Sequence, residues 1–330
     1  MLSFNLIRNV YKQAADLVAE SAKSFNKLPA YIIELKKSAL EFTKTALHNI
    51  SDMRGANISL GRYHHAQGNL NDAVMRFWLV SKFIMPNDQE AYAYLGWTYY
   101  MKGKLNKALA NLALAGDQAD KSLTQFLQED EITQIPDNIL KQYRDYKAIQ
   151  SLSNFNHAEL ALHLVQNIFQ HIDEIPKNFK ILELNCETGF IGKEIYDKLD
   201  KNYYLTASDI SPNMASLTAE LKDVKTKIYD KIEINSPHKI LQSRKVIYDV
   251  ICSSLGISFE KNLSDIFKLC AKNLKPKGLW GFVLQLTEHK EDVKLARTKN
   301  YFSYSQDYVT QNLKLAKFEI NSIKDLYIDS

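Results

Sequence analysis

The chain has 330 residues, 45% of them hydrophobic, with 42 lysine and arginine residues against 38 aspartate and glutamate residues. This near balance of charge argues against obligatory electrostatic binding of nucleic acid, and no apolar run approaches the ~18 residues of a membrane span. The length suffices for two domains. Three widely spaced cysteines and the lack of a secretory signal pattern at the start predict a cytoplasmic protein with reduced thiols.

Residues 1–50 are predicted to form an amphipathic helical hairpin. Apolar residues recur there at three- and four-residue spacing, and the stretch Asn26-Lys-Leu-Pro29 separates two helices. One interpretation is a membrane-surface anchor through the basic residues of the first helix. The other is an antiparallel hairpin that packs on the following helices or on a partner chain. Interspersed acidic residues favour the hairpin.

Residues 51–128 contain an internal repeat. The pair Leu60-Gly61 recurs 35 residues later as Leu95-Gly96, and the stretch that begins at Gly68 recurs at Gly103. This pattern resembles two tetratricopeptide repeats, in which paired helices recur about every 34 residues. The resemblance implies a protein or peptide partner, because stacked helix pairs form extended binding surfaces.

The repeat also predicts how its helices pack. Small residues at Gly61 and Ala73 should let paired helices approach each other, while Phe77 and Trp97 fill the space between them. Four tyrosines are candidates for a binding groove, although their helical spacing places about half of them in the core; they are Tyr92, Tyr94, Tyr99 and Tyr100. His64 and His65 lack partners at ligand spacing, so no metal site is predicted.

Residues 129–175 are predicted to be a linker followed by helices that lead into a sheet. The polar stretch from Gln128 to Pro136 marks the linker, and residues 139–169 are helical in pattern. An apolar strand then covers Lys180 to Leu184, and a helix covers Phe190 to Leu199. The loop between them lies at a helix N-terminus, where backbone amides can hold an anionic group.

An acidic residue follows this loop at a telling distance. Asp209 lies 20 residues after Gly189, after the strand-like run from Tyr203 to Ser208. This is the spacing expected of a carboxylate that binds ribose hydroxyls in a dinucleotide-type fold. A simpler interpretation of the local sequence is a helix N-terminus, with Ser211 as its cap and Pro212 at its first position.

Taken together, the motifs of residues 176–330 resemble class I S-adenosylmethionine-dependent methyltransferases, in particular the bacterial group that carries tetratricopeptide repeats. The family's first motif, usually Asp/Glu-x-Gly-Cys-Gly-Thr-Gly, aligns with Glu183-Leu-Asn-Cys-Glu-Thr-Gly189, and its second aligns with Asp209-Ile-Ser-Pro-Asn-Met214. A fourth strand at Tyr248 to Cys252 and a turn at Leu274 to Gly278 follow in the family's order. A further strand, Leu279 to Leu286, comes after that turn.

The implied fold is a Rossmann-like α/β domain with a seven-stranded, mostly parallel sheet, preceded by an all-α helical domain. The sheet would end with a helix over residues 305–316 and an antiparallel edge strand over residues 317–328. The implied cofactor is S-adenosylmethionine, contacted by the loop, by Asp209 at the ribose and by Met214 at the adenine. The full implied set is Glu183, Asn185, Cys186, Glu187, Gly189, Asp209, Ile210, Met214 and Ser236.

Several of these residues depart from the family pattern. Asn185 and Glu187 replace glycines, and asparagine tolerates a positive φ best among side-chain-bearing residues. Glu187 would repel the methionine carboxylate of the cofactor, although it could attract the amino group or the sulfonium. Ser236 falls where the family usually has an acid at the adenine. Cys186 is expected to pack under the loop, and Met214 has core packing as its alternative role.

Two functional hypotheses follow. The first is an S-adenosylmethionine-dependent methyltransferase whose repeats recruit a protein or peptide. In that reaction the protein mainly orients the sulfonium methyl group, so no catalytic triad is expected. The second is a catalytically inactive, methyltransferase-like protein that acts as an interaction scaffold through its repeats.

Overall fold

A computed structural model describes residues 48–49, 51–129, 131–150, 155–199, 202–223, 226–243, 246–287 and 291–326. The contacts within it divide the chain into two units, residues 1–120 and residues 121–330. The amphipathic helical hairpin predicted over residues 1–50 lies outside the described residues, except for residues 48–49, which are helical. Among the described residues, no helix is both long and apolar enough to cross a membrane.

The described part of the first unit consists of helices arranged in consecutive pairs. A tight turn at Gly68 joins the first pair, and a turn at Gly103 joins the second. Asp88 caps the third helix by accepting a 2.7 Å hydrogen bond from the amide of Ala91. The elements are α1 over residues 51–66, α2 at Leu70–Leu79 with a π-helical continuation at Val80–Ile84, α3 at Gln89–Met101 and α4 at Leu105–Ala115.

Two glycines lie where the helices of a pair are in close contact. A Cβ atom added at Gly61 would lie 2.5 Å from the ring of Phe77, and one added at Gly96 would lie 2.6 Å from Leu112. Ala73 and Phe77 are fully buried. The expectation that about half of the tyrosines belong to the core is confirmed. Two of them, Tyr92 and Tyr100, are buried, and the other two, Tyr94 and Tyr99, are half-buried.

The second unit alternates helices and strands. Its α-helices are α5 at Lys121–Gln128, α6 at Asp137–Gln150, α7 at Phe155–Phe169, α8 at Phe190–Leu199, α9 at Pro212–Glu220, α10 at Pro237–Ser243, α11 at Leu263–Asn273 and α12 at Gln306–Leu315. Its strands are β1 at Lys180–Leu184, β2 at Tyr204–Asp209, β3 at Lys222–Asp223, β4 at Thr226–Lys227, β5 at Lys231–Ile234, β6 at Tyr248–Ser253, β7 at Leu274–Phe282, β8 at Val293–Ala296 and β9 at Tyr301–Tyr304.

Five strands form one sheet in the order β5-β2-β1-β6-β7, and every pairing in it is parallel. The central strand β1 is almost entirely buried, because helices cover both faces of such a sheet. This is a Rossmann-like α/β fold. The strand order reverses between β1 and β6, and in such sheets ligands bind in the crevice beyond the carboxyl ends of the strands at that reversal.

One prediction about the end of the chain is wrong. The expected edge strand over residues 317–328 is absent from the described residues 318–326, which have no regular structure and are mostly exposed. Their alternating apolar pattern suits a strand, but a strand also needs a hydrogen-bonded neighbour, and this segment pairs with none in the described sheet. The sheet therefore has five described strands, and the predicted seven are not found in the described residues.

The turn predicted at Leu274 to Gly278 is instead the first part of β7. Lys277 has a φ of 66°, and the register with β6 shifts between Tyr248 and Val250, so this stretch enters the sheet through an irregularity. Two short antiparallel hairpins, β3-β4 and β8-β9, were not foreseen. Hairpins of two to four residues per strand carry too little periodicity to be recognised in the sequence.

Candidate functional site

The loop that follows β1 and the end of β2 meet at the carboxyl edge of the sheet. Because β1 and β2 are parallel neighbours, the loop begins beside Ser208, whose carbonyl accepts the amide of Cys186 at 2.9 Å. The amide of Glu187 donates to Asp209 Oδ2 at 3.1 Å. The two motifs that the sequence analysis combined therefore lie in direct contact.

The loop has a glycine-type backbone at two positions that carry side chains. Asn185 has a φ of 51° and Glu187 a φ of 52°, both in the left-handed region, as has Gly189 at 83°. The expectation that Asn185 preserves the turn is confirmed. The amide of Gly189 donates to the carbonyl of Cys186 at 2.8 Å, and Thr218 Oγ1 donates to the carbonyl of Glu187 at 2.8 Å. These bonds fix the loop before helix α8.

The carboxylate of Asp209 is fully occupied by this chain's own donors. Oδ1 accepts from Arg144 Nε at 3.0 Å and from the Ser211 amide at 2.9 Å. Oδ2 accepts from Arg144 Nη2 and from the Glu187 amide. A carboxylate has about four lone-pair sites, and four donors fill them here. The side chain of Asp209 is 0% exposed.

Arg144 belongs to helix α6 and is itself buried, with 3% exposure. Burial lowers the pKa of the guanidinium, but the carboxylates of Asp209 and Glu187 outweigh it and raise that pKa above its ordinary value. Glu187 Oε1 lies 3.8 Å from Nη1, and the guanidinium carbon lies 5.2 Å from the centre of the Phe259 ring. Arg144 is therefore a permanent cation enclosed by two carboxylates and an aromatic ring.

Arg144 is a site residue that the local sequence does not reveal. Helix α6 was predicted only as part of the segment that leads into the sheet, and the arginine lies 65 residues before Asp209. A usable signal did exist, because an arginine on a helix with apolar neighbours must find a carboxylate if it is buried. Nothing in the local sequence specified which carboxylate.

Asn185 closes the crevice at the strand-order reversal. Its Nδ2 donates to the carbonyl of Gly256 at 2.6 Å, which ties the loop after β1 to the loop after β6. A Cβ atom added at Gly256 would lie 2.3 Å from the Asn185 Cβ, so the two loops are in tight contact. Asn185 thus joins the two loops that flank the strand-order reversal.

Glu183, at the end of β1, is buried and bonded to a tyrosine. Tyr229 Oη donates to Glu183 Oε2 at 2.8 Å, and the side chain of Glu183 is 1% exposed. Burial raises the pKa of Glu183 to about 8; the Tyr229 hydrogen bond opposes this rise, and the nearby Glu187 and Asp209 add to it. Tyr229 in turn lies against Gly192, where an added Cβ would meet its hydroxyl at 2.1 Å.

The remaining predicted site residues are held by local packing or capping. Cys186 is buried, with its Sγ 3.5 Å from Thr218 Oγ1, which agrees with packing under the loop. Burial, with Asp209 as a further cause, raises the pKa of its thiol well above the usual value. Ile210 and Met214 are buried. The half-buried Ser236 precedes α10, and its carbonyl accepts the amide of Ile240 at 3.1 Å.

The predicted N-cap after β2 is confirmed. Ser211 Oγ accepts the amide of Met214 at 3.0 Å, and Pro212 occupies the first turn of α9. Ser211 also donates to Asp145 Oδ1 of helix α6 at 2.6 Å. Ser211 therefore both caps α9 and contacts α6.

Several buried polar atoms at this edge have no hydrogen-bond partner among the described residues. They include Asn185 Oδ1, in the loop after β1, and two hydroxyl oxygens in the segment after β6. Such atoms are unusual, since buried polar groups in proteins are nearly always hydrogen-bonded. The hydroxyl oxygens are Ser254 Oγ and Ser258 Oγ.

These residues do not fit S-adenosylmethionine in the observed arrangement. A ribose diol would need free acceptor positions on Asp209, and Arg144 occupies them. The crevice is bridged by Asn185. A cavity of about 420 Å³ lies at the opposite edge of the sheet, lined by residues of α10 and α11 and by Val246 and Ile247, which precede β6.

No protein-family model matches the chain, and a search of curated proteins found no match. Solved structures similar to it include the Haemonchus contortus phosphoethanolamine N-methyltransferase 2 with phosphomonomethylethanolamine and S-adenosylhomocysteine. The identity is 12% and the TM-score 0.42, over 54% of this chain and 44% of that one. The chain thus spans less than half of the Haemonchus enzyme.

Two further structures are similar at the same level. An S-adenosylmethionine-dependent methyltransferase from Leishmania major has 14% identity and a TM-score of 0.42, over 52% of this chain and 68% of that one. A cyclopropane synthase from Mycobacterium tuberculosis has 17% identity and a TM-score of 0.37, over 50% and 61%. At such identities and scores the likeness carries no argument about activity, and the fold assignment rests on the strand order described above.

Proposed function

We propose that the α/β unit is an S-adenosylmethionine-dependent methyltransferase domain and that the helical unit recruits a protein or peptide. The observation that carries the proposal is the contact between the loop after β1 and Asp209 at the end of β2. In Rossmann-like nucleotide-binding folds the loop after the first strand lies against the ligand's charged group, and the acid about 20 residues further on binds its ribose. S-adenosylmethionine and S-adenosylhomocysteine are ligands in structures of the Haemonchus enzyme, and the same pair is proposed for this chain.

The test of cofactor binding is thermal unfolding of the full chain with and without millimolar S-adenosylmethionine or S-adenosylhomocysteine. A ligand present at ~100 times its dissociation constant stabilises the folded state by about 2.7 kcal/mol, which is visible as a higher melting temperature. Adenosine monophosphate at the same concentration is the control. Equal melting curves under all conditions, in the wild type and in the Arg144 variants described below, would contradict the proposal.

Recruitment by the helical unit is supported by the aromatic residues that its packing leaves accessible. Tyr94 and Tyr99 are half-buried on α3, and Trp78 on α2 is 43% exposed. Extended surfaces of paired helices suit extended peptides. Once a binding protein is identified, its affinity should fall for Tyr94→Ala and Tyr99→Ala and stay unchanged for the exposed Leu114→Ala. Equal affinities for all of these variants would contradict the assignment of this surface.

A second candidate function is a scaffold that has lost cofactor binding. The specific observation in its favour is the saturated carboxylate of Asp209. Glu187→Gly separates the two candidates, because it removes the carboxylate that would face the cofactor. Tighter binding of S-adenosylhomocysteine by this variant agrees with a methyltransferase, while weaker binding would mean that the Glu187 side chain assists binding, either as a ligand contact or as a counter-ion of Arg144. No binding by any variant supports the scaffold.

A further inference from the structure

We propose that Arg144 is an internal latch that keeps the site closed by occupying Asp209, and that a ligand must displace its guanidinium to bind. The latch is the pair Arg144–Asp209 together with the helix α6 that carries the arginine. This inference rests on the proposed function, since it concerns access to the same site. It treats the poor fit of the observed arrangement as a resting state of that site.

The hydrogen bonds on Asp209 leave no acceptor position for a ligand. Arg144 supplies two of the four hydrogen bonds that saturate Asp209, one to each carboxylate oxygen. The other two come from backbone amides, which are fixed by the fold. Arg144 is therefore the one donor of the four whose side chain can move away and restore one acceptor position on each oxygen.

Polar contacts attach helix α6 to the turn after β2. Beside the latch, Asp145 accepts from Ser211 Oγ at 2.6 Å and from the Asn213 amide at 3.3 Å. Asn213 Nδ2 also reaches the carbonyl of Asp145 at 3.4 Å. The attachment of α6 to the turn after β2 thus includes a set of polar contacts. A polar ligand can form hydrogen bonds that replace these contacts. It could not replace purely apolar contacts in this way.

In the closed arrangement some buried polar atoms lack a hydrogen-bond partner among the described residues. Asn185 Oδ1, Ser254 Oγ and Ser258 Oγ are buried without a partner at the same edge of the sheet. Buried polar atoms without hydrogen bonds destabilise the state that contains them. A polar ligand in the crevice would satisfy atoms that the closed state cannot, and so would favour the open state.

A guanidinium displaced from Asp209 has a second carboxylate beside it. Glu187 Oε1 lies 3.8 Å from Arg144 Nη1, so a second carboxylate is already beside the guanidinium. Displacement therefore does not leave an isolated buried cation, which would be strongly unfavourable. In this interpretation Glu187 is the counter-ion of the released arginine. The two residues that stand at glycine positions of the motif then both contribute to closure, because Asn185 bridges the crevice and Glu187 lies beside Arg144.

The experiment is calorimetric titration of the full chain with S-adenosylhomocysteine, for the wild type, Arg144→Gln and Lys141→Gln. Glutamine keeps an N–H donor for Asp209 but removes the charge. Lys141, one turn earlier on α6, pairs with Asp145 at 3.9 Å, so its variant is a matched loss of charge. We expect Arg144→Gln to bind at least about tenfold more tightly than the wild type, and Lys141→Gln to bind like the wild type.

Circular dichroism checks that Arg144→Gln is folded. Should it fail to fold, Arg144→Lys serves in its place, because lysine keeps the charge but cannot form the two-point contact, and it is expected to bind more tightly than the wild type. Equal or weaker binding by the folded variant overturns the latch and leaves the proposed function standing. Absence of binding in every protein overturns both.

Discussion

The two units use glycine positions in different ways. In the helical unit Gly61 and Gly96 are present because a side chain would collide with Phe77 and Leu112. In the α/β unit the loop after β1 needs only a positive φ, and Asn185 and Glu187 supply it. A packing contact therefore depends on the missing side chain itself, whereas a turn can keep its path when glycine is lost.

The two units also differ in the side chains that pack around these positions. The core of the helical unit is apolar, built around Ala73, Phe77 and Leu95. At the carboxyl edge of the sheet, the side chains added by Asn185 and Glu187 are polar and face Gly256 and Arg144. There, residues other than glycine hold the positive φ, and their side chains form a hydrogen-bonded and charged interior.

The largest effect is expected when one partner of the latch is removed. Arg144→Leu leaves Asp209 as a buried charge without its cation, which should lower the free energy of unfolding by about 3–5 kcal/mol. The double variant Arg144→Leu/Asp209→Asn removes both charges, keeps a side-chain oxygen for the backbone amides that Asp209 accepts, and should recover much of that loss. Urea unfolding followed by circular dichroism measures both. A loss below about 1 kcal/mol for the single variant would show that charge does not hold this region together.

The next effect concerns the helical unit. Gly61→Val places a branched side chain against Phe77 and should lower the free energy of unfolding by about 2–3 kcal/mol. Gly55→Val is the matched control in the same helix, because a Cβ there has nothing within 4 Å. In a Trp280→Phe background, the two remaining tryptophans, Trp78 and Trp97, report this unit alone. Equal stability of the two valine variants would contradict the packing role of Gly61.

A smaller effect is expected from the buried acid Glu183. Its pKa is raised from 4.5 to about 8 in the folded state. Between these values the folded state holds a proton that the unfolded state has released, so stability falls as the pH rises. Glu183→Gln should remove more than about 1 kcal/mol of this fall between pH 5 and pH 8. Urea titrations of both proteins at the two pH values test this, and parallel pH dependences would contradict it.

The smallest effect tests the loop. Glu187→Gly relieves a positive φ, whereas Thr188 has none, so Thr188→Gly adds freedom to the unfolded chain without that relief. The first variant should therefore be more stable than the second by about 0.5–1 kcal/mol. Thermal unfolding of the two proteins side by side gives the difference. The reverse order would mean that the Glu187 side chain contributes more through Arg144 than its backbone conformation costs.

Much of the α/β fold was predictable from the sequence. The strand Lys180–Leu184 and the helix Phe190–Leu199 are found at the predicted bounds, because an apolar run followed by an amphipathic helix leaves few alternatives. Residues 318–326 show the opposite case. Strand-like alternation there describes which side chains could share a face, while pairing depends on a neighbour that the segment itself does not specify.

The candidate site was only half predictable. The contact between the loop and Asp209 follows from the parallel pairing of consecutive strands, and the spacing of 20 residues indicated it. Arg144, Gly256 and Tyr229 come from distant parts of the chain, and each enters the site through tertiary packing. The local sequence predicts that Asp209 binds a ligand, whereas in the folded chain Asp209 binds Arg144.

The separation of 65 residues between Arg144 and Asp209 also has a consequence for the order of folding. Helix α6 can form from local contacts, but the partner of its arginine exists only once β2 has joined the sheet. We expect the pair to form late, after the barrier to folding has been crossed. Stability gained from this pair would then act mainly by slowing unfolding, so that it prolongs the lifetime of the native state more than it speeds its formation.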